Sequence, residues 1–225
     1  MVKYQDTSPG LNMLVIHDNE DTGVRAGLEY ISMYGGSLID SQYGDARNFR
    51  FDHQDGQHET DPNSIYTRPG IFTGLNKFNG WNQEAGDMLF STGEAIMKYY
   101  QPESKNYIVT LHNNTDNAFS IWSYLEGGEL ETTADSVFIN FDMDEDDFLI
   151  VTIPAHFNHL KAKNVNVVLQ SQDAPNDGSL SIYAMYRGIP YVNVEVQHGH
   201  KDEHYRLIKV VGDMLRKDER LASIR

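Results

Sequence analysis

Cysteine is absent from the whole chain, which removes disulfides, thiolate metal ligands and a cysteine nucleophile together. Any metal held here must rest on His, Asp and Glu. Basic residues are also scarce: 18 Lys and Arg stand against 33 Asp and Glu, a formal charge of −15. Such a balance lacks the clustered cations that a phosphate backbone demands. The expectation is no nucleic-acid partner and no membrane surface. Long apolar runs are missing too, and none approaches the roughly 18 residues of a membrane span. Residues 1–10 are polar and have no hydrophobic signal-peptide core, so the chain as sequenced reads as cytoplasmic, or as periplasmic or secreted if a leader has been removed. What is ample is core-forming material, 40% hydrophobic and 11% aromatic over 225 residues, which fits a single domain over 1–225. Nothing in the sequence sets an oligomeric state.

The stretch Met13-Leu14-Val15-Ile16-His17-Asp18-Asn19-Glu20 reads as a buried strand that stops at a histidine, with a glutamate three positions on. A strand end opening into a turn can aim two nearby side chains at one point. His-x-x-Glu then offers an imidazole nitrogen and a carboxylate oxygen, donors that zinc accepts at about 2.0–2.2 Å. By itself the motif is short, and a surface turn of solvated charges has the same spelling. A second strand-like run, residues 107–111, also stops at a histidine, His112, before the turn formers Asn113 to Asn117. Histidines closing two strands fall where sites gather in open α/β sheets.

Elsewhere helix and strand patterns alternate. Val24, Leu28, Ile31 and Tyr34 recur at helical spacing over 22–34, with Asp21 or Thr22 as N-cap and Gly35-Gly36 as the stop. Strands are expected at 37–39, 148–153, 165–169 and 189–196, and helices at 82–100, from 154, at 179–187 and at 202–217. This alternation predicts a layered α/β domain. Residues 40–69 read as a long polar connection whose His53 and His58 fit solvated loop positions. The acidic run of Asp142, Asp144, Glu145, Asp146 and Asp147 lacks EF-hand spacing and reads as a solvated loop. His156 and His159 share a helix face and read as structural. His198, His200 and His204 form a further, weaker candidate cluster. Glu195 stands out, because it lies in the apolar strand Ile189 to Val196, where a carboxylate is costly to bury unless paired or bound.

His17-x-x-Glu20, a later strand-end His112 and the late carboxylate Glu195 resemble, in that order, the zinc metallocarboxypeptidases. They also resemble the related aspartoacylase and succinylglutamate desuccinylase group. The resemblance implies a carboxypeptidase-like fold, three layers with a mixed, mostly parallel twisted sheet and helices on both faces. It further implies one zinc ion (Zn2+) held by His17, Glu20 and His112, with Glu195 as the general base that activates water. Asp61-Pro62-Asn63 looks like the family's D-x-N-R element, whose Asn and Arg contact substrate. Here Ser64 stands at the Arg position, so Arg68 or Arg187 would supply the missing cation beside Asn63. The implied activity is zinc-dependent hydrolysis of an amide bond in a small peptide or an N-acyl amino acid. The Ser64 departure motivates an alternative, a catalytically decayed peptide- or glycan-binding module on the same fold. Carboxylates to orient the two imidazoles are expected from Asp18 or Asp116.

Overall fold

A computed structural model describes residues 1–222. Strands β1 (Val2–Gln5) and β2 (Leu11–Val15) lead through helix α1 (Asp21–Tyr34) to β3 (Gly36–Asp40). A hairpin of β4 (Phe49–His53) and β5 (Gly56–Thr60) forms a separate two-stranded sheet. Helices α2 (Arg68–Phe78), α3 (Gln83–Tyr100) and α4 (Pro102–Lys105) precede β6 (Ile108–Asn114). Then come β7 (Ala134–Phe138), β8 (Phe148–Val151), α5 (Pro154–Ala162) and β9 (Val167–Gln170). Helix α6 (Leu180–Tyr186), β10 (Tyr191–Gln197) and α7 (Lys201–Ala222) complete the fold.

The main sheet has eight strands in the order β1-β3-β2-β6-β10-β8-β9-β7. Its contacts β3/β2, β2/β6, β6/β10 and β8/β9 are parallel; β1/β3, β10/β8 and β9/β7 are antiparallel. Period-two alternation divides its side chains between two layers. Met13, Val15, Val109, Leu111 and Val194 face α1, α5 and α7, whereas Leu14, Ile16, Ile39 and Ile108 face α2, α3 and α6. Each fully buried Val, Leu or Ile contributes roughly 1.5–3 kcal/mol of apolar burial. The result is an α/β fold with a mixed, mostly parallel sheet between helical layers.

Local structure departs from the linear pattern in three places. Glu195 is not set among the valines of its strand. Val192, Val194 and Val196 enter the first core, while Tyr191, Asn193 and Glu195 alternate onto the other face. Helix α1 buries Gly23, Ala26, Gly27 and Tyr30, and the Val24, Leu28, Tyr34 stripe is only partly covered. A Cβ on Gly23 would stand 3.1 Å from both Leu111 Cβ and His204 Cε1, so the glycine lets α1 lie close to the sheet. Residues 40–69 are not structureless: short strands with exposed polar residues alternating around Phe49 and Phe51 make the β4–β5 hairpin, and Pro62–Ser64 makes a 3-10 turn.

The acidic stretch is a solvated loop only in part, with Asp142, Asp144 and Glu145 exposed. It follows β7, and Asp146 and Asp147 are buried. Asp146 Oδ2 accepts the Asn117 N–H at 2.7 Å, and Asp147 Oδ1 accepts the Gln197 N–H at 2.8 Å. These carboxylates pin the segment after β6 and the end of β10. Among the described residues, no helix is long and apolar enough to cross a membrane.

Candidate metal centre and cleft

In the sheet, the chain leaves β2 for β3 on one side, and β6 lies on the other. Such a reversal of strand order opens a crevice at the carboxyl ends of the strands. His17 lies just past β2, and His112 is the fifth residue of β6. Glu20 is the N-cap of α1, and its N–H donates to the His17 carbonyl at 3.3 Å. That tight turn folds the two side chains together. The Glu20 carboxylate makes no capping bond, in contrast to the Asp21 or Thr22 cap expected from the sequence, because it is committed to the histidines.

His17 Nδ1 and Glu20 Oε1 are 2.8 Å apart. His112 Nδ1 is 3.2 Å from each of them. All three residues are buried. Around a tetrahedral ion with bonds of about 2.0–2.1 Å, donors stand about 3.3 Å apart, so these three atoms nearly occupy three corners. Glu20 Oε2 is buried with no hydrogen-bond partner among the described residues. An unmet buried acceptor costs about 1–3 kcal/mol, more when charged, and a cation at this point would relieve it. One carboxylate and two imidazoles suit a divalent ion of the zinc type.

The charges agree with that geometry. Burial disfavours a proton on His17, yet Glu20 and Asp61 outweigh it and raise its pKa from 6.5 to about 9. Burial opposes ionisation of Glu20, but His112 and His17 hold its carboxyl far below the usual range. Asp61 accepts from His17 Nε2 at 2.8 Å and, despite its own burial, is drawn down to about 2 by His17 and Arg47. It is Asp61 that orients His17. Neither carboxylate expected from the sequence does so. Asp18 instead accepts the Tyr43 and Asp45 N–H groups, the latter at 2.8 Å, and exposed Asp116 accepts from Asn117.

Glu195 sits beside His112, its register partner across the parallel β6/β10 pair. Its carboxyl is raised from 4.5 to about 7, first by burial and then by the Glu20 charge; His112 and a 3.1 Å bond from Asn193 Nδ2 to Oε2 oppose the rise. A carboxyl poised near neutrality at the mouth of a donor cluster has the protonation balance of a general base. The cleft around these groups has a volume of ≈ 480 Å³. Phe119, Tyr124, Ile150 and Tyr191 give it an apolar wall; Asn63, Asn114, Gln170 and Asn193 give it amides.

Asn63 lines the cleft, with Oδ1 accepting the Leu180 N–H at 3.1 Å. Ser64 packs toward α2, its Cβ 3.6 Å from where a Gly74 Cβ would stand. The two arginines expected beside Asn63 do not reach the cleft. Arg68 opens α2, where Nη1 meets Asp87 at 2.7 Å and the guanidinium lies over Phe90. Arg187 follows α6, 3.8 Å from Glu94 and stacked over Tyr183. Both are satisfied on the outer surface of the α3 side. Among the described residues that line the cleft, the cation is Arg47, 3.5 Å from Glu20 Oε1 and 3.7 Å from Asp61 Oδ2. Tyr43 helps hold it, donating from its hydroxyl to the Arg47 carbonyl at 2.9 Å. No spacing signal marks Arg47, a lone arginine in a polar loop. His198, His200 and His204 do not gather: His200 pairs with Asp147 at 3.0 Å, while His204 is buried under α1 beside Asn113.

No protein-family model matches the chain, and no curated protein matches it. Solved structures similar to it include two. One is described as a “putative metallopeptidase” from Shewanella baltica OS155, at 12% identity and TM-score 0.48, covering 95% of this chain and 79% of its own. The other, given the same description, is from Shewanella denitrificans OS217, at 13% identity and TM-score 0.42, covering 92% and 75%.

Proposed function

We propose that the chain is a zinc-dependent hydrolase that cleaves an amide bond in a small peptide or an N-acyl amino acid. The observation that carries this reading is the meeting of His17 Nδ1, Glu20 Oε1 and His112 Nδ1 at 2.8–3.2 Å, beside the buried carboxyl of Glu195. In this reading His17, Glu20 and His112 are the metal ligands. A zinc ion there would supply Lewis acidity, bringing the pKa of water toward about 7 and polarising a carbonyl oxygen.

The remaining work falls to the chain itself. Asp61 accepts the Nε2 proton of His17, which leaves the Nδ1 lone pair facing Glu20 and His112, free to bind an ion. Asn193 occupies Glu195 Oε2, so Oε1 is the atom available to take a proton from the attacking water. Glu195 then passes that proton to the leaving nitrogen, a role worth roughly 10²- to 10⁴-fold in rate. Arg47 faces the same point and would steady negative charge developing on the carbonyl oxygen. Asn63, in the cleft wall, would contact substrate. Arg68 and Arg187, engaged elsewhere, have no part in the proposal.

Glu195→Gln tests it. The expected outcome is a loss of at least 100-fold in turnover over a panel of peptides and N-acyl amino acids, with metal content unchanged. The absence of Arg68 and Arg187 from the cleft favours a second reading, a decayed module that binds peptides or glycans. Wild type and Glu195→Gln equally inert over the panel, with peptide or glycan binding retained, would select that reading.

A further inference from the structure

Away from the cleft, the tip of the β4–β5 hairpin carries a second convergence of donors. Asp55 Oδ1 lies 3.0 Å from His53 Nδ1 and 2.9 Å from His58 Nε2. All three donor atoms lie within 4.8 Å of one another. We infer that His53, Asp55 and His58 form a second divalent-metal site, structural in role and separate from the donors in the cleft.

Three observations carry it. The far nitrogen of His53, Nε2, meets Glu84 Oε2 at 3.1 Å, the carboxylate support that metal-bound imidazoles use to fix tautomer and ring. A neutral imidazole has one N–H and cannot donate to Asp55 and Glu84 at once. With the Nε2 proton given to Glu84, the Nδ1 lone pair faces Asp55, the place an ion would take. His17 stands in the same arrangement, between Glu20 and Asp61. Next, the ring of His58 is buried and stacked on Phe51, with centroids 5.5 Å apart, so its Nε2 is aimed before any ion arrives. Finally, Asn82 donates to the other oxygen of Asp55 at 2.5 Å, which fixes that carboxylate as well.

The donor set of two imidazoles and one carboxylate selects a first-row ion such as zinc over calcium or magnesium. The site also has a task. A two-stranded hairpin is marginal by itself in water, and among the described residues β4–β5 shares no strand pairing with the main sheet and leans on α2 through β5. An ion at its tip would stiffen the hairpin and, through Glu84, tie it to the first turn of α3. The hairpin leads directly from Arg47 to Asp61, so its rigidity bears on both.

The test is zinc stoichiometry and affinity on the full chain, after chelation and buffer exchange. Wild type should bind two equivalents. His53→Gln, at a partly buried position, and Asp55→Asn, at an exposed one, should weaken one equivalent by 100-fold or more and leave the other. His112→Ala should abolish the other. Zinc should also slow amide exchange over residues 49–60 in wild type and His112→Ala, but not in His53→Gln. A single equivalent lost in His112→Ala and untouched by His53→Gln would overturn the inference, as would a second equivalent that His53→Gln does not weaken. One equivalent lost only in His53→Gln would support it while removing the cleft site.

Discussion

A carboxyl buried with its pKa raised, as Glu195 is, costs the fold stability at neutral pH. Without metal, Glu195 carries a folded pKa of about 7 against an ordinary 4.5. The unfolded chain therefore releases this proton from pH 4.5 upward, while the folded chain keeps it until about pH 7. Between these values the native state binds more protons than the unfolded state, so stability falls as pH rises. At about 1.36 kcal/mol per pH unit, the interval amounts to roughly 3 kcal/mol above pH 7 and nothing at pH 4. Glutamine has the shape of the protonated acid and no charge to bury. In chelator-treated protein, Glu195→Gln should thus match wild type at pH 4 and exceed it by about 3 kcal/mol at pH 8. For a chain of this size that is about 6–12 °C in Tm. Thermal denaturation of both proteins from pH 4 to pH 8 in chelator reads the difference directly. A gap that is constant across pH, or of opposite sign, refutes the assignment of Glu195 as a buried, destabilised acid.

Other outcomes rest on the same contacts. Asp61→Asn removes a carboxylate from His17 Nε2; zinc affinity should drop about 10- to 100-fold by calorimetry, and the His17 pKa should fall from about 9 in an NMR titration. His204 is buried and held neutral, its pKa pushed from 6.5 to about 3 by burial, so the unfolded chain gains a proton as pH falls below 6.5 and the folded chain does not. Stability should be lost in that window by about 2 kcal/mol at pH 5, and His204→Gln should flatten the acid limb of a denaturation series. In metal-free protein the raised His17 pKa works the other way. Its contribution is complete below pH 6.5 and disappears as pH passes 9, whereas zinc, which displaces that proton, should bind more tightly over the same interval.

Much of this arrangement is written in short, local patterns. The runs ending at Ile16 and near His112 and the helical pattern from Val24 announce an α/β layer order, because hydrophobic periodicity directly reports which faces are buried. The tight spacing of His17 and Glu20 is legible for the same reason: both lie within one turn at a strand end. What is not legible depends on register and on loops. Strand pairing brings Glu195 beside His112 from a distant part of the chain, and only the β6/β10 register states it. Reading Glu195 among valines misses the alternation that sets it with Asn193. The distances from Arg68 and Arg187 to the site cannot be read from proximity in sequence to Asn63 or Glu195, since each helix end turns its arginine toward a carboxylate on α3. Arg47 and Asp61 reach the centre from either end of a hairpin whose short strands carry too little apolar patterning to be seen.

The central claim is that one ion sits among His17, Glu20 and His112. Anomalous diffraction at the zinc edge from crystals of the zinc-loaded chain tests it most directly. The account predicts a peak about 2.0–2.2 Å from His17 Nδ1, Glu20 Oε1 and His112 Nδ1, absent in His112→Ala. Loaded crystals that show no density between those three atoms would contradict it.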